Sequence, residues 1–371
     1  MRLLLLADLH LGAPLPEWGE TAGTRRQALR DALTGAVDTA MAGQAQAVLV
    51  AGDLFDRPDP DPDLVTFAWG ELARLVESGI TPVLLPGNFD NSFHSESVYQ
   101  VTLPPEGVVV ISSPENSETV IPLGDETLVV HGLSWHPGVT PEDPWSPMIR
   151  GEQSGIHLGL FHATLSDDGA PDVVPTLVMN SGALDSAGLD LIVVGRDHRP
   201  VEQRLPGGTP LVVPGSPVGL GPEETGERGF MWADFGAEGL NLSREPWDAP
   251  PVLEETIRLR PETPLAVLVE RIVRRIGKAG FARVVLEGKV SEPIDLNELQ
   301  DSLPPEPPRE PVDRTEMVAA DDGDPIPPVR RLAEERLHEL AASARTSEEK
   351  AVLRMAVKRL RQTASEVDHA A

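Results

Sequence analysis

The sequence predicts an α/β fold: a core of two sheets in α-β-β-α layers, a small α+β capping domain and a C-terminal helical tail. Three observations predict it. The first 90 or so residues alternate apolar strand-like runs with amphipathic helix-like stretches. From there to about residue 248, strand-like runs follow one another with few helices between them. Beyond Pro250-Pro251 come a short strand–helix–strand pattern, a Pro-rich acidic stretch and two amphipathic segments.

Taken in order, Leu3–Ala7, Val48–Ala51 and Val83–Leu85 are continuous apolar runs, which read as strands buried on both faces. Between them, Thr24–Ala42 and Leu64–Glu77 carry the helical period. The order β-α-β-α-β implies a parallel sheet covered by helices. Val108–Ser112, Thr127–Gly132, Ile156–His162, Leu191–Gly195, Pro210–Val213 and Phe230–Phe235 read as further strands, enough for a second sheet packed on the first. This assigns residues 1–249 to the core. Residues 250–303 form the capping domain: strand Thr256–Arg260, helix Pro264–Ile276 and strand Ala282–Val290. Thr263 is placed to cap that helix, with Pro264 at its first position and Gly277 as terminator. Leu265, Leu268, Val269, Ile272 and Ile276 make its apolar stripe. Residues 304–328 are rich in Pro, Asp and Glu and read as a linker, within which Thr315–Ala319 could pair as an edge strand. Residues 329–366 read as two short amphipathic helices, the second with a Thr346/Glu349 capping box. Helices this short bury little alone, so they are expected either to fold back on the core or to dock on a partner, with docking favoured.

A chain of 371 residues accommodates two or three domains. It has no cysteine, which excludes disulfides, zinc–thiolate sites and thiol catalysis and suits a reducing cytoplasm. Met1–Leu6 is too short for a signal peptide, and no stretch is long and apolar enough for a membrane span. The expected location is the cytoplasm, with no membrane association. A net charge of −28 is unlike that of a nucleic-acid binder. The charge is uneven, however. Arg258, Arg260, Arg271, Arg274, Arg275, Lys278, Arg283 and Lys289 give the capping segment a basic excess, and the last helix is basic too.

The chemistry lies in five polar signatures, each just after an apolar run. They are Asp8-Leu9-His10, Gly52-Asp53, Gly87-Asn88, His162 and the Gly195-to-His198 turn. In an α/β sheet, groups just past the carboxyl ends of strands converge on one crevice. Carboxylates, imidazoles and an amide oxygen brought together there are metal ligands. Two such ions can activate a water and clamp a phosphoryl group. His131 and His136 read as structural histidines, and His94 as a residue near enough in sequence to approach the crevice.

Asp8-Leu-His10-Leu-Gly12, Gly52-Asp53-Leu-Phe-Asp56, Pro86-Gly87-Asn88-x-Asp90, His162, Gly195-x-x-His198 and Pro214-Gly215-Ser216-Pro217 resemble the calcineurin-like metallophosphoesterases. More narrowly they look like the SbcD branch, the double-strand-break repair nucleases whose eukaryotic members are the meiotic-recombination-eleven proteins. The resemblance implies a DNA exonuclease-type phosphodiesterase with a manganese (Mn2+) pair. It implies a homodimer within a heterotetramer, an SbcC-type coiled-coil ATPase bound to the terminal helices, and DNA ends as substrate. Carried over by motif, ion one takes Asp8, His10, Asp53 and His198. Ion two takes Asp53, Asn88 and His162.

Two positions depart from the family pattern. Gly-Asn-His-Asp has become Gly87-Asn88-Phe89-Asp90, and Gly-His-x-His has become Gly195-Arg196-Asp197-His198. Phe89 stands where the catalytic histidine is missing and can give no proton; losing a general acid costs about two to four orders of magnitude. Arg196 has no lone pair and cannot ligate ion two. Three readings follow. The protein is a catalytically inactive DNA- or ATPase-binding scaffold; or Arg196 clamps the phosphate in place of ion two, with Asn88 and His162 as phosphate donors; or Asp197 swings in as a substitute ligand.

Overall fold

The computed structural model describes residues 1–16, 18, 22–136, 150–166, 176–221, 223–261, 263–276, 281–291, 293–304 and 309–317. The described residues divide into two compact units near Leu253–Glu254. The tail helices expected over 329–366, and residues 318–328 of the expected linker, lie outside the described residues.

The first unit holds two six-stranded sheets. One has the order β14-β13-β1-β2-β3-β4. Its central strands β1 (Arg2–Leu6), β2 (Ala47–Ala51) and β3 (Thr81–Leu85) run parallel, with the short β4 (Val109–Val110) beyond β3. At the other edge β13 (Gly229–Gly236) lies antiparallel to β1, and β14 (Gly239–Pro246) antiparallel to β13. The second sheet has the order β11-β12-β10-β7-β6-β5. Strands β6 (Glu126–Gly132), β7 (Ile156–His162), β10 (Leu191–Gly195) and β12 (Pro210–Val213) are parallel; β5 (Ser117–Leu123) and β11 (Val201–Arg204) flank them antiparallel.

Side-chain alternation along each strand explains the layers. Leu3, Leu5, Leu49, Val83 and Leu85 meet Leu128, Val130, Leu158, Leu160, Leu191 and Val193 in one buried cluster between the sheets. Leu4, Leu6, Val48, Val50 and Leu84 point the other way, onto helices α1 (Ala22–Ala42) and α2 (Pro62–Glu77). Phe161, Ile192, Val194 and Leu211 face outward from the second sheet onto Met179 and Leu184, the latter on α4 (Ser181–Ser186). The result is the layered α-β-β-α core that the sequence predicted, with one correction: the strands at Val109–Val110 and Gly229–Gly236, expected in the second sheet, pair with β3 and β1 in the first. Helix α2 starts where Asp61 accepts from Asp63 N–H at 2.9 Å with Pro62 at the first turn. Strands β5, β11 and β14 went unread because they are edge strands whose exposed faces break the apolar runs. Helix α3 (Val98–Val101) and the pair β8 (Thr164–Leu165) and β9 (Val178–Met179) are too short for any period to show.

The second unit is a three-stranded sheet, β15 (Val252–Leu259), β16 (Phe281–Val290) and β17 (Arg309–Met317), with helices α5 (Leu265–Ile276) and α6 (Leu296–Ser302). Leu268, Ile272 and Ile276 are the buried stripe of α5. Two expectations are corrected. The stretch from 304 is not linker throughout: the edge strand expected at Thr315–Ala319 is present but starts earlier, Arg309–Met317 pairing parallel with β16 over Ala282–Val290. The strand tolerates Pro311, opposite Val284, because it stands at the edge of the sheet. Thr263 does not cap α5; its hydroxyl donates to Arg260 O and accepts from Arg260 N–H, both at 3.0 Å, closing the preceding turn.

Candidate metal centre

The backbone brings the first two motifs side by side. Asp8 N–H donates to Gly52 O (3.1 Å), His10 N–H to Asp53 O (2.9 Å) and Leu11 N–H to Leu54 O (2.9 Å). Asp8, His10, Asp53 and Arg196 hold left-handed φ values of 54°, 44°, 50° and 96°. Non-glycine residues rarely adopt this region, and each instance costs on the order of 1–3 kcal/mol. The strained turns aim all four side chains into the crevice past the ends of β1, β2 and β10. Two glycines make room there. A Cβ on Gly52 would fall in the His162 ring, and one on Gly195 would strike Ala51 O.

The sequence-predicted residues converge. Ligand atoms of Asp8, His10 and His198 lie within 4.8 Å of one another, as do those of Asp8, Asp53 and His162. Asp53 also links the two groups, with Oδ2 3.5 Å from His10 Nε2 and 3.1 Å from His162 Nε2. Asn88 Oδ1 sits 3.0 Å from His162 Nε2. Asp8 is fully buried, and both its carboxylate oxygens accept Arg196 N–H, at 3.0 and 3.1 Å. The Arg196 guanidinium turns into the crevice, donating through NH1 to Asn88 Oδ1 (2.9 Å) and through Nε to Thr164 Oγ1 (3.0 Å). Phe89 is 44% exposed and meets the His10 ring edge-on at 5.0 Å between centroids, while its N–H donates to Asp53 Oδ1 at 2.9 Å.

Several residues with a part in the site escaped the sequence reading. Asp56 Oδ1 lies 2.9 Å from His10 Nδ1, and Glu224 Oε1 lies 2.6 Å from His198 Nδ1. Asp90 gathers Gly87 N–H (2.6 Å), Leu54 N–H (3.0 Å), Phe55 N–H (3.3 Å) and the Tyr99 hydroxyl (2.7 Å), locking the loops that carry Asp53 and Asn88. Asp56 and Asp90 at least fall inside recognisable motifs. Nothing in the sequence marks Glu224, one of two adjacent glutamates in a loop.

Electrostatics follow from burial and proximity. Burial raises Asp8, against the pull of His162 and His198. Burial would also raise Asp53, but His162 and His10 outweigh it and hold that carboxyl down at about 2. Burial opposes charging His162, yet Asp53 and Asp8 push it up to about 9. His198 is likewise raised against burial by Glu224, whose own carboxyl is held at about 2. Burial and the Asp53 charge push Asp90 up to about 6. In a crevice so acidic, imidazolium takes the role that a cation otherwise would.

The donor set fits a divalent cation. His10 Nε2 is buried and makes no hydrogen bond, facing Asp53 Oδ2 beyond hydrogen-bond distance. A buried imidazole nitrogen left orphaned beside two carboxylates is what a hard or borderline ion would satisfy. Other candidates do not join. Asp197 is exposed, and its carboxylate accepts Arg199 N–H at 3.0 Å, so it does not substitute as a ligand. His94 is exposed and takes Glu96 N–H. His131 is buried on β6 against His157 at 2.9 Å, a structural pair.

A layered α/β core with carboxylates and imidazoles meeting at its strand ends is the architecture of a metal-dependent phosphoesterase. Residues 1–200 match the calcineurin-like phosphoesterases, and the chain belongs to that family, which binds divalent metals. It is 26% identical over 302 residues to the uncharacterized metallophosphoesterase YhaO of Bacillus subtilis, covering 77% of this chain and 71% of that one. It is 24% identical over 262 residues to the DNA double-strand break repair protein Mre11 of Methanopyrus kandleri, covering 65% of this chain and 55% of the relative. A dimetal phosphatase from Danio rerio aligns over 63% of this chain and 92% of its own, at 16% identity and a TM-score of 0.40. Among the described residues no helix is long and apolar enough to cross a membrane.

Proposed function

We propose that this chain is an SbcD-like nuclease subunit: a divalent-metal phosphodiesterase acting on DNA ends, with one Mn2+ ion and an arginine clamp. The observation that carries the reading is the Arg196 guanidinium lying 2.9 Å from Asn88 Oδ1. That oxygen would otherwise face a second cation. Asp8, His10, Asp53 and His198 would hold the single ion. When bound, such an ion supplies Lewis-acid polarisation of a phosphoryl oxygen and activation of the attacking water.

The chain's own residues do the rest. Thr164 and Asn88 hold the guanidinium in place, so its remaining N–H groups present a fixed fork to a phosphate. His162, held by Ala51 O at 2.9 Å, offers a second cationic donor beside it. Phe89 gives no proton to a leaving oxygen, so cleavage is slow, by about two to four orders of magnitude relative to a site with an acid there. DNA as substrate is supported by the similarity to Mre11, a DNA double-strand break repair protein, and by the capping unit. There Arg258, Arg260 and Arg271 line a depression with Thr263, Pro264 and Val267. The proposed partner is an SbcC-type coiled-coil ATPase at residues 329–366, within a heterotetramer built on a homodimer. The amphipathic pattern of that segment supports it.

The test is metal counting by anomalous scattering from Mn2+-soaked crystals, paired with a nuclease assay. One full ion among Asp8, His10, Asp53 and His198, with cleavage lost in Asp53→Ala and reduced in Arg196→Ala, is expected. Two full ions would sink the arginine clamp. Exposed Phe89 favours a second reading, an inactive scaffold on a vestigial phosphoesterase core; wild-type cleavage no greater than that of Asp53→Ala would establish it.

A further inference from the structure

The two imidazoles that face the first cation position are held differently from the third. His10 Nδ1 lies 2.9 Å from Asp56 Oδ1, and His198 Nδ1 lies 2.6 Å from Glu224 Oε1. His162 Nδ1 instead meets a neutral backbone carbonyl, Ala51 O, at 2.9 Å. A carboxylate can only accept, so at each of the first two rings Nδ1 is the donating nitrogen, which leaves Nε2 as the one a cation would take. Glu224 is itself fixed. Its Oε2 accepts the Ser216 hydroxyl at 2.8 Å and Leu220 N–H at 3.1 Å, and Arg228 NH1 stands 3.5 Å away. Arg228 NH1 also donates to His198 O, tying the backbone of the ligand to the same knot. His198 is the more exposed of the two rings, with 27% of its side chain accessible against 2% for His10. Packing holds His10 in place; His198 depends on its hydrogen bond.

We infer that Glu224 is a positioning residue: it fixes the tautomer and orientation of His198 and so sets the cation affinity of the site. The inference rests on reading Asp8, His10, Asp53 and His198 as a cation site and not on any substrate. Removing an outer carboxylate from a metal-bound histidine costs about 10–100-fold in metal affinity. The position fits because the contact is short, ionic and made to the most exposed of the three ligand rings.

The test uses the full-length protein and Mn2+ alone. Calorimetric titration of wild type, Glu224→Gln, Glu224→Leu and Ser216→Ala gives affinity. Nitrogen NMR shifts of the His198 ring in metal-free protein give its tautomer. The expected result is a Mn2+ affinity about 10–100-fold weaker in Glu224→Leu. Glu224→Gln should fall between it and wild type, because its amide oxygen still accepts without the charge. Measured at a pH high enough to leave the ring neutral, His198 should be Nδ1-protonated in wild type and a tautomer mixture in Glu224→Leu. Ser216→Ala removes one tie of Glu224 and leaves the Glu224–His198 contact in place, so its affinity should fall by less than that of Glu224→Leu and its tautomer should stay that of wild type. If Glu224→Leu fails to fold, Glu224→Gln carries the same comparison. Equal affinity in wild type and the Glu224 variants, or an unchanged His198 tautomer, would overturn the inference and leave the proposed nuclease standing. Weakened affinity in a protein that cleaves no DNA would sink the nuclease and leave the inference standing.

Discussion

Without its metal, the protein should lose stability as the solution turns alkaline, and His162 is the reason. The ring is buried, which opposes a charge, but Asp53 at 3.1 Å and Asp8 at 3.8 Å hold it protonated up to about 9. In the unfolded chain the same imidazole titrates near 6.5. A folded value above the unfolded one means the stabilisation is complete below about pH 6.5 and disappears as pH rises through about 9. At about 1.4 kcal/mol per pH unit, the difference between 6.5 and about 9 gives about 3 kcal/mol. The low value of Asp53 expresses the same contact and is counted once. Urea unfolding of the chelator-treated protein below pH 6.5 and above pH 9 measures the effect, with His162→Gln as the control. Wild type should lose about 3 kcal/mol more than the variant across that window. Equal losses in the two proteins would refute the reasoning, because the ion cluster would then carry no net stabilisation in the metal-free fold.

Two further perturbations test the site from other sides. Phe89→His restores a proton donor over the crevice and should raise the rate of phosphodiester cleavage by about two to four orders of magnitude in a single-turnover nuclease assay; no gain would move the deficit to the Arg196 position. Gly52→Ala places a Cβ in the His162 ring at a φ of +88° and should destabilise the fold by about 1–3 kcal/mol in thermal unfolding, with weaker Mn2+ binding.

The pair of departures shows how far local sequence can carry a chemical argument. That Arg196 cannot ligate is plain from its functional group. Its destination is not. The guanidinium could have pointed to solvent; a φ of 96° and the bonds to Asn88 and Thr164 turn it inward. Asp197 had equal claim as a substitute ligand, and the same backbone turn sends it to Arg199 N–H instead.

The sequence by itself determined which apolar runs are core strands, the helices over the first sheet and the six ligand candidates; which sheet β4 and β13 join was decided by pairing. Buried parallel strands are continuous apolar runs, and ligands at their ends stand at fixed places after those runs. Edge strands β5, β11 and β14 and the first half of the strand within the supposed linker were hidden, because half-exposed strands take their order from a neighbour's hydrogen bonds rather than from their own composition. The supporting carboxylates were decided only in three dimensions. Asp56 and Glu224 act through hydrogen bonds to residues 46 and 26 positions away, a relation no local pattern encodes. The packed fold alone selects which acid among many lies within reach of an imidazole nitrogen.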